Sequence, residues 1–257
     1  MFEISLKGKT ALVTGGARGI GAQICKQMAK AGARIIVNYY NCDADREALK
    51  TLVPLLEENG VEVLTCMADV ANEDEVNAMM KEAEKFGGVD VLVHNAGITP
   101  VAKIEEMSTE VWRRAMGVIL DGAFFLTRGA LPHMLEQGKG SFIMVTTNCT
   151  VNGGGGSAAY PAAKCGVEGL VKQLAYEYAG KGIRANVIRP AVIDTDLLRQ
   201  RYPSDEEIAE YGKRLPVGHV GTAEDIANVA VFLASDISEY ICGESILVDG
   251  GRTYYKK

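Results

Sequence analysis

The stretch TALVTGGARGIGAQICKQMAK, residues 10–30, decides the fold. Its first five residues, 10–14, are a short apolar run of strand character. Glycines follow at 15, 16, 19 and 21, and residues 19–31 read as an amphipathic helix. A strand that turns through glycine into a helix suits a diphosphate. Glycine lets the chain turn tightly and lets the anion reach the backbone, while the helix N-terminus offers unpaired N–H groups and a partial positive charge. The spacing is G-x-x-x-G-x-G, not the more familiar G-x-G-x-x-G. Gly15, Arg18, Gly19, Ile20 and Gly21 are the first candidate cofactor contacts.

The alternation continues outward. Apolar runs at 34–39, 61–66, 89–94, 141–146, 184–189 and 245–248 read as strands, several of them covered on both faces. Helix candidates lie between them at 43–59, 72–86, 105–116, 118–137, 158–179 and 223–234. Asn72-x-x-Glu75 is an N-terminal box and Ser108 a plain cap. Gly32, Gly60 and Gly182 stand where helices should stop. Seven alternating units predict an α/β fold, a Rossmann-like doubly wound sheet of seven parallel strands in a single domain, 1–257. One irregular excursion, 194–221, holds Pro203 and Pro216. Ligands of such sheets sit beyond the carboxyl ends of the strands, so the excursion is read as a substrate lid, a surface insertion being the plain alternative.

Composition narrows the function classes. Apolar residues make up 47% of 257, enough for a large core. The net charge of −6, with no basic face or tail beyond Lys256-Lys257, argues against nucleic acid as a partner. Cys25, Cys42, Cys66, Cys149, Cys165 and Cys242 form no C-x-x-C pair, and His94, His133 and His219 are far apart, so no metal is expected. Scattered cysteines read as reduced, buried thiols and imply a cytoplasmic protein. The first six residues do not read as a signal peptide, and no 18-residue apolar run would span a membrane.

The second informative stretch is TTNCTVNGGGGSAAYPAAK, residues 146–164. On a helix, Tyr160 and Lys164 share one face. A phenol titrates near pH 10, too high for an efficient base at neutral pH, and a nearby ammonium favours the phenolate. The pair is a candidate proton donor or acceptor for a carbonyl/alcohol couple. Glycines 153–156 fit a loop that passes close to a ligand.

Taken with Asn95-Ala96-Gly97 after the fourth strand, the turn T-G-x-x-x-G-x-G and Tyr160-x-x-x-Lys164 resemble the short-chain dehydrogenase/reductase family over essentially the whole chain. Within it, the likeness is greatest to 3-oxoacyl-carrier-protein reductases and to sugar or steroid alcohol dehydrogenases. The resemblance implies an enzyme that interconverts a secondary alcohol and a ketone by hydride transfer, with Tyr160 as acid/base. Lys164 tunes it and bonds the nicotinamide ribose, and Thr147 stands where the family has serine. Thr146 and Asn148 are fallback donors. The resemblance adds Asp69 and Val70 as adenine contacts, Asn95, Ala96 and Gly97 beside the cofactor, and 190–195, from Pro190 to Thr195, near the nicotinamide. It also implies a homotetramer or dimer through the helices at 118–137 and 158–179, acting on a small carbonyl or alcohol.

Cofactor choice is read from the end of the second strand. There Val37-Asn38-Tyr39-Tyr40-Asn41 carries no acid to bond a ribose 2′-OH or repel a 2′-phosphate. Arg18 offers a cation, so NADP is expected, with NAD as the alternative and a merely solvated Arg18 as the plain reading. Two departures matter. Threonine at 147 keeps the hydroxyl and adds a methyl. Ile119 occupies the family's asparagine position, whose amide helps hold a water beside the lysine. Either backbone groups, Asp121 or another polar residue hold the water instead, or proton exchange is slow. His94 replaces a commoner asparagine and is read as a strand end. These departures motivate the alternative of a cofactor-binding protein with weak or no catalysis, a sensor or structural subunit.

Overall fold

The strands are Thr10–Val13 (β1), Arg34–Tyr39 (β2), Val63–Met67 (β3), Val91–His94 (β4), Gly140–Val145 (β5), Ile183–Pro190 (β6) and Ser245–Val248 (β7). In this computed structural model, which describes residues 4–255, they form one parallel sheet in the order β3-β2-β1-β4-β5-β6-β7. The N-terminal and Lys256-Lys257 readings fall on residues 1–3 and 256–257 and lie, to that extent, outside the described residues.

The order reverses between β1 and β4, so their carboxyl ends part and leave a crevice, the usual ligand position in a doubly wound sheet. The apolar runs are continuous because both faces are covered. Val13 and Val37 point into a core shared with Ile24, Met28, Leu56 and Ile226. Leu12 and Ile36 point the other way, toward Val76, Leu126, Phe142 and Val171. Each fully buried side chain of this size contributes about 1.5–3 kcal/mol.

The helices are Gly19–Lys30 (α1), Asp43–Glu57 (α2), Glu73–Lys85 (α3), Thr109–Met116 (α4), Gly122–Gln137 (α5), Cys149–Asn152 (α6), Ala159–Tyr178 (α7), Asp196–Arg199 (α8), Asp205–Gly212 (α9) and Ala223–Ala234 (α10). α4 begins four residues later than predicted, because the Ser108 side chain accepts the Val111 N–H and sets the start. At α3 the Asn72 side chain caps Asp74 and Glu75, but the Glu75 carboxylate accepts from the Asp69 N–H and the Asn72 side-chain amide rather than from the Asn72 backbone N–H, so the predicted box is not the reciprocal kind. Reciprocal boxes stand instead at Ser204/Glu207 and Thr222/Asp225.

The excursion is more ordered than expected. It contains α8 and α9, and its two ends pair as short parallel strands, Ile193–Asp194 with Gly221–Thr222. Only Cys25 and Cys66 are buried; Cys165 is exposed, which corrects the expectation of uniformly buried thiols.

Candidate active site

β1 delivers the chain into the glycine turn. Gly15 (φ +58) and Gly19 (φ +55) take left-handed conformations that side chains disfavour. Gly21 is required for another reason: a Cβ there would overlap the Gly15 carbonyl oxygen. No side chain caps α1 at Arg18. The first-turn N–H groups, including Gly19 and Ile20, are therefore left for an external anion. The cradle fits a diphosphate.

Asn38 holds this turn in place, a role the sequence reading missed. It is 2% exposed. Its amide oxygen accepts from the Gly15 N–H at 3.4 Å and its backbone carbonyl from the Gly16 N–H at 2.8 Å. Its amide nitrogen donates to the Cys66 and Ala68 carbonyls. A buried amide inside an apolar strand was the available signal.

The Asn95-Ala96-Gly97 turn is locked to the same place. Thr14 Oγ1 accepts from the Asn95 and Ala96 N–H groups, both at 3.1 Å, and the Asn95 amide donates to the Thr14 and Gly15 carbonyls. Behind it, His94 is fully buried, as a strand end should be. Its Nε2 lies 3.0 Å from the Ile119 carbonyl, and its Nδ1 lies 3.1 Å from Thr14 Oγ1. A carbonyl only accepts, so Nε2 carries the hydrogen and Nδ1 accepts from the threonine. Burial, with the Lys164 charge in support, pushes the ring down to about 3, so it is neutral.

Ile119 lies in a π-helical turn, Gly117–Asp121, at the junction of α4 and α5. Such a turn displaces carbonyls from the helical ladder. His94 takes the one at Ile119. The isoleucine side chain is fully buried, whereas Asp121 is exposed. A Cβ on Gly97 would lie 3.6 Å from Lys164 Nζ and 4.0 Å from Ile119 Cγ1, so amine and hydrocarbon stand side by side.

α7 brings Tyr160 and Lys164 to the end of β5. Lys164 is 3% exposed, donates to the Val145 carbonyl at 2.6 Å, and lies 5.9 Å from the centre of the Tyr160 ring. Burial lowers its pKa to about 8. Burial raises Tyr160 to about 12, with Cys149 adding to the rise and Thr147 opposing it. The expected acidification of the phenol by the ammonium is thus not met in the protein alone, because desolvation outweighs it. Gly155 must be glycine: a Cβ there would sit 2.5 Å from the Tyr160 ring.

The structure separates the three candidate hydroxyl and amide donors. Thr146 donates to buried Glu168, which Arg189 also binds, and Asn148 reaches Thr253. Thr147 Oγ1 accepts the Cys149 N–H at 3.2 Å, which leaves its own hydrogen unassigned. Thr147 is the one turned to the tyrosine.

The remaining candidates ring the same crevice. Pro190 closes β6 and accepts from the Asn148 N–H. Thr195 approaches the glycine turn, 3.7 Å from a Cβ built on Gly19. Val70 is buried against Gly122. Asp69 is held by Arg114 at 2.7 Å and by the Ala71 N–H. Tyr39 ends β2, half-buried. At that corner the sequence reading needs correction. Arg18 is not merely solvated: Nε donates to Asp45 at 2.7 Å and a terminal nitrogen to Asp196 at 3.3 Å. Asp45 also accepts the Tyr40 N–H at 3.1 Å. A carboxylate therefore does stand beside the end of β2, supplied by α2.

A doubly wound sheet with a glycine cradle at its switch point, and a Tyr/Lys/Thr group opposite, defines a dinucleotide-dependent oxidoreductase domain. The sequence pattern of the family described as "Enoyl-(Acyl carrier protein) reductase" matches residues 15–253. The chain is 39% identical over 244 residues to a 3-oxoacyl-[acyl-carrier-protein] reductase of Staphylococcus aureus, covering 95% of this chain and 97% of that protein. It is 36% identical over 252 residues to 3beta-hydroxysteroid dehydrogenase 1 of Eggerthella lenta, covering 97% and 95%. A gluconate 5-dehydrogenase from Burkholderia cenocepacia, crystallised with NADP and tartrate, superposes with a TM-score of 0.89 at 32% identity, covering 99% and 98%. The chain belongs to the short-chain dehydrogenase/reductase family. It is an NAD(P)-dependent enzyme acting on CH–OH groups. Among the described residues no helix is long and apolar enough to cross a membrane.

Proposed function

We propose that the protein interconverts a secondary alcohol and a ketone with NADP(H), using Tyr160 as the acid/base. The observation that carries this reading is the gathering of Tyr160, Lys164 and Thr147 at the end of β5, across from the glycine cradle. The dinucleotide, when bound, supplies or accepts the hydride. Tyr160 holds the proton that passes to the carbonyl oxygen during reduction and receives it during oxidation. Thr147 donates its hydroxyl hydrogen to the same oxygen as charge develops there. Lys164 spends one of its three N–H groups on Val145 and keeps two for the cofactor ribose.

The NADP bound by the gluconate 5-dehydrogenase supports the 2′-phosphorylated cofactor; Arg18, paired with Asp45, would have to turn from it to meet a 2′-phosphate. Residues 194–221 serve as the lid. Assembly into a homotetramer or dimer through α5 and α7, in the cytoplasm, completes the reading; Phe124 and Tyr176 are exposed on those helices.

The test mixes purified protein with NADPH or NADH and a panel of ketones. Tyr160→Phe should lower kcat by about 10²–10⁴ while retaining nucleotide binding. Wild-type turnover no greater than the variant's on every ketone would remove the enzymatic role of Tyr160.

A further inference from the structure

Tyr160, Lys164 and Glu168 follow one another at every fourth position of α7 and so form one stripe along the helix. Each meets the segment that leaves β5. Tyr160 faces the Thr147 hydroxyl, Lys164 donates to the Val145 carbonyl, and Glu168 accepts from the Thr146 hydroxyl at 3.1 Å. The first two contacts belong to the reacting group; the third grips its neighbour. Glu168 is 7% exposed and is paired by Arg189 of β6, which donates through Nε at 2.7 Å to one oxygen and through a terminal nitrogen to the other. Burial alone would push the carboxyl up, but Arg189, with Thr150 and Thr146, holds it below the ordinary carboxylate range. A buried pair of this kind is seldom more stabilising than two apolar side chains of like volume. What it provides here is an acceptor of fixed position. Thr146 is anchored a second time by its N–H, on the Ile188 carbonyl at 2.8 Å, and the Thr150 hydroxyl, which also faces Glu168, donates to the Thr147 carbonyl at 2.9 Å. Thr147 is thus held from both sides by residues that meet one carboxylate.

We infer that Glu168, fixed by Arg189, is a positioning residue that aims the Thr147 hydroxyl at the reacting oxygen. This rests on the alcohol/ketone reading above and deepens it. Glu168 acts through Thr146 and Thr150, not on the substrate. A donor displaced by about 1 Å from the charge it must meet costs on the order of a hundredfold in rate. Glu168→Gln leaves the Arg189 charge unpaired and tests folding as much as position. Two other changes separate these effects. Thr146→Val keeps the branched shape and removes the hydroxyl that Glu168 holds. Glu168→Met combined with Arg189→Met removes acceptor and charge together and leaves no buried ion alone.

The experiment measures steady-state ketone reduction by the purified full chain, with NADPH or NADH as the protein prefers, and melting temperatures confirm that each variant is folded. In Thr146→Val and in the double methionine variant, kcat should fall about tenfold to a hundredfold while KM for the dinucleotide stays unchanged. Thr146→Ser restores the hydroxyl and should recover the wild-type kcat. In a Thr147→Ala background Thr146→Val should cost little more, because both changes act on one hydrogen bond. A merely structural fault would lower kcat by the same factor in both backgrounds. Wild-type kcat in Thr146→Val, or a loss that persists in full without the Thr147 hydroxyl, overturns the positioning role and leaves the Tyr160 reading intact. A wild-type protein that reduces no ketone overturns both.

Discussion

Nδ1 of His94 faces a threonine hydroxyl and Nε2 a helix carbonyl, in a place with no surface exposed to solvent. A charged ring could not satisfy both contacts, because Nδ1 must accept. The unfolded ring takes up a proton around its ordinary 6.5, whereas the native ring resists to about 3. Between those values the unfolded chain binds more protons, so stability falls as pH drops from 6.5 to 3 and is not lost further below that. The loss from this one residue is roughly 4–5 kcal/mol across the window. His94→Leu should be less stable at pH 7 by about 2–3 kcal/mol, since it orphans the Ile119 carbonyl and the Thr14 hydroxyl, yet its stability should depend less on acid. Urea unfolding at pH 7 and pH 4.5 checks both effects; equal acid sensitivity in the two proteins would refute the assignment. Lys164 gives a second pH signature. It loses its proton around 8 in the folded protein, so ketone reduction measured as kcat/KM should fall as pH rises through 8. Retention of that limb in Lys164→Met would assign it to another group. Tyr160 and Lys164 could be placed together because i and i+4 share one helix face, whereas Thr147 was pointed to only by the resemblance to the family. The roles of His94 and Asp45 were not legible, because each acts on a partner that only the tertiary fold brings near. Nothing in the chain order joins residue 94 to 119 or residue 45 to 18.

The seven strands were legible for a physical reason that also sets their limits. An apolar run covered on both faces is visible in one dimension, and β2 and β7 match their predicted bounds while the others shift by one or two residues at one or both ends. α6 was invisible because four residues hold too little pattern, and the π-helical turn because its residues look like any buried helix. The glycine turn is the element where the fold tolerates least. Gly21 packs its Cα against the Gly15 carbonyl, so Gly21→Ala must open the turn or shift α1. The variant should lose about 1–3 kcal/mol and bind nucleotide far more weakly, while Gly169→Ala, on α7 with open space around its Cβ, should be neutral or stabilising. Thermal melting with and without NADPH separates the two cases. A Gly21→Ala protein with an unchanged cofactor-induced shift would mean that the nucleotide does not use this turn.

At the scale of the molecule, the sheet and the excursion after β6 differ in how they are held. The sheet strands are pinned by continuous ladders between two cores. The excursion is fastened at its base by two pairs, Ile193 with Gly221 and Asp194 with Thr222, and within by Arg199, which bonds Asp194 at 2.6–2.7 Å and Asp205 at 2.8 Å. Its contacts with the body include Thr195 near Gly19, Asp196 on Arg18, Arg252 over Tyr211, Val217 against Gly250 and Pro216 near Gly251. Two of these lie at the glycine turn, so whatever binds there is felt by the excursion. Few buried contacts and exposed backbone bonds place a segment at the low end of local stability. Amides of α8 and α9 should therefore exchange with deuterium well before those of β4 and β5, and NADPH should slow them. Arg199→Ala should speed exchange in the excursion while the sheet amides keep their rates, because the exposed ion pairs tie the segment to its own base rather than to the core. Exchange in α8 and α9 as slow as in β5, or indifferent to NADPH, would mean that the excursion is a fixed surface insertion and that substrate enters past a wall that does not move.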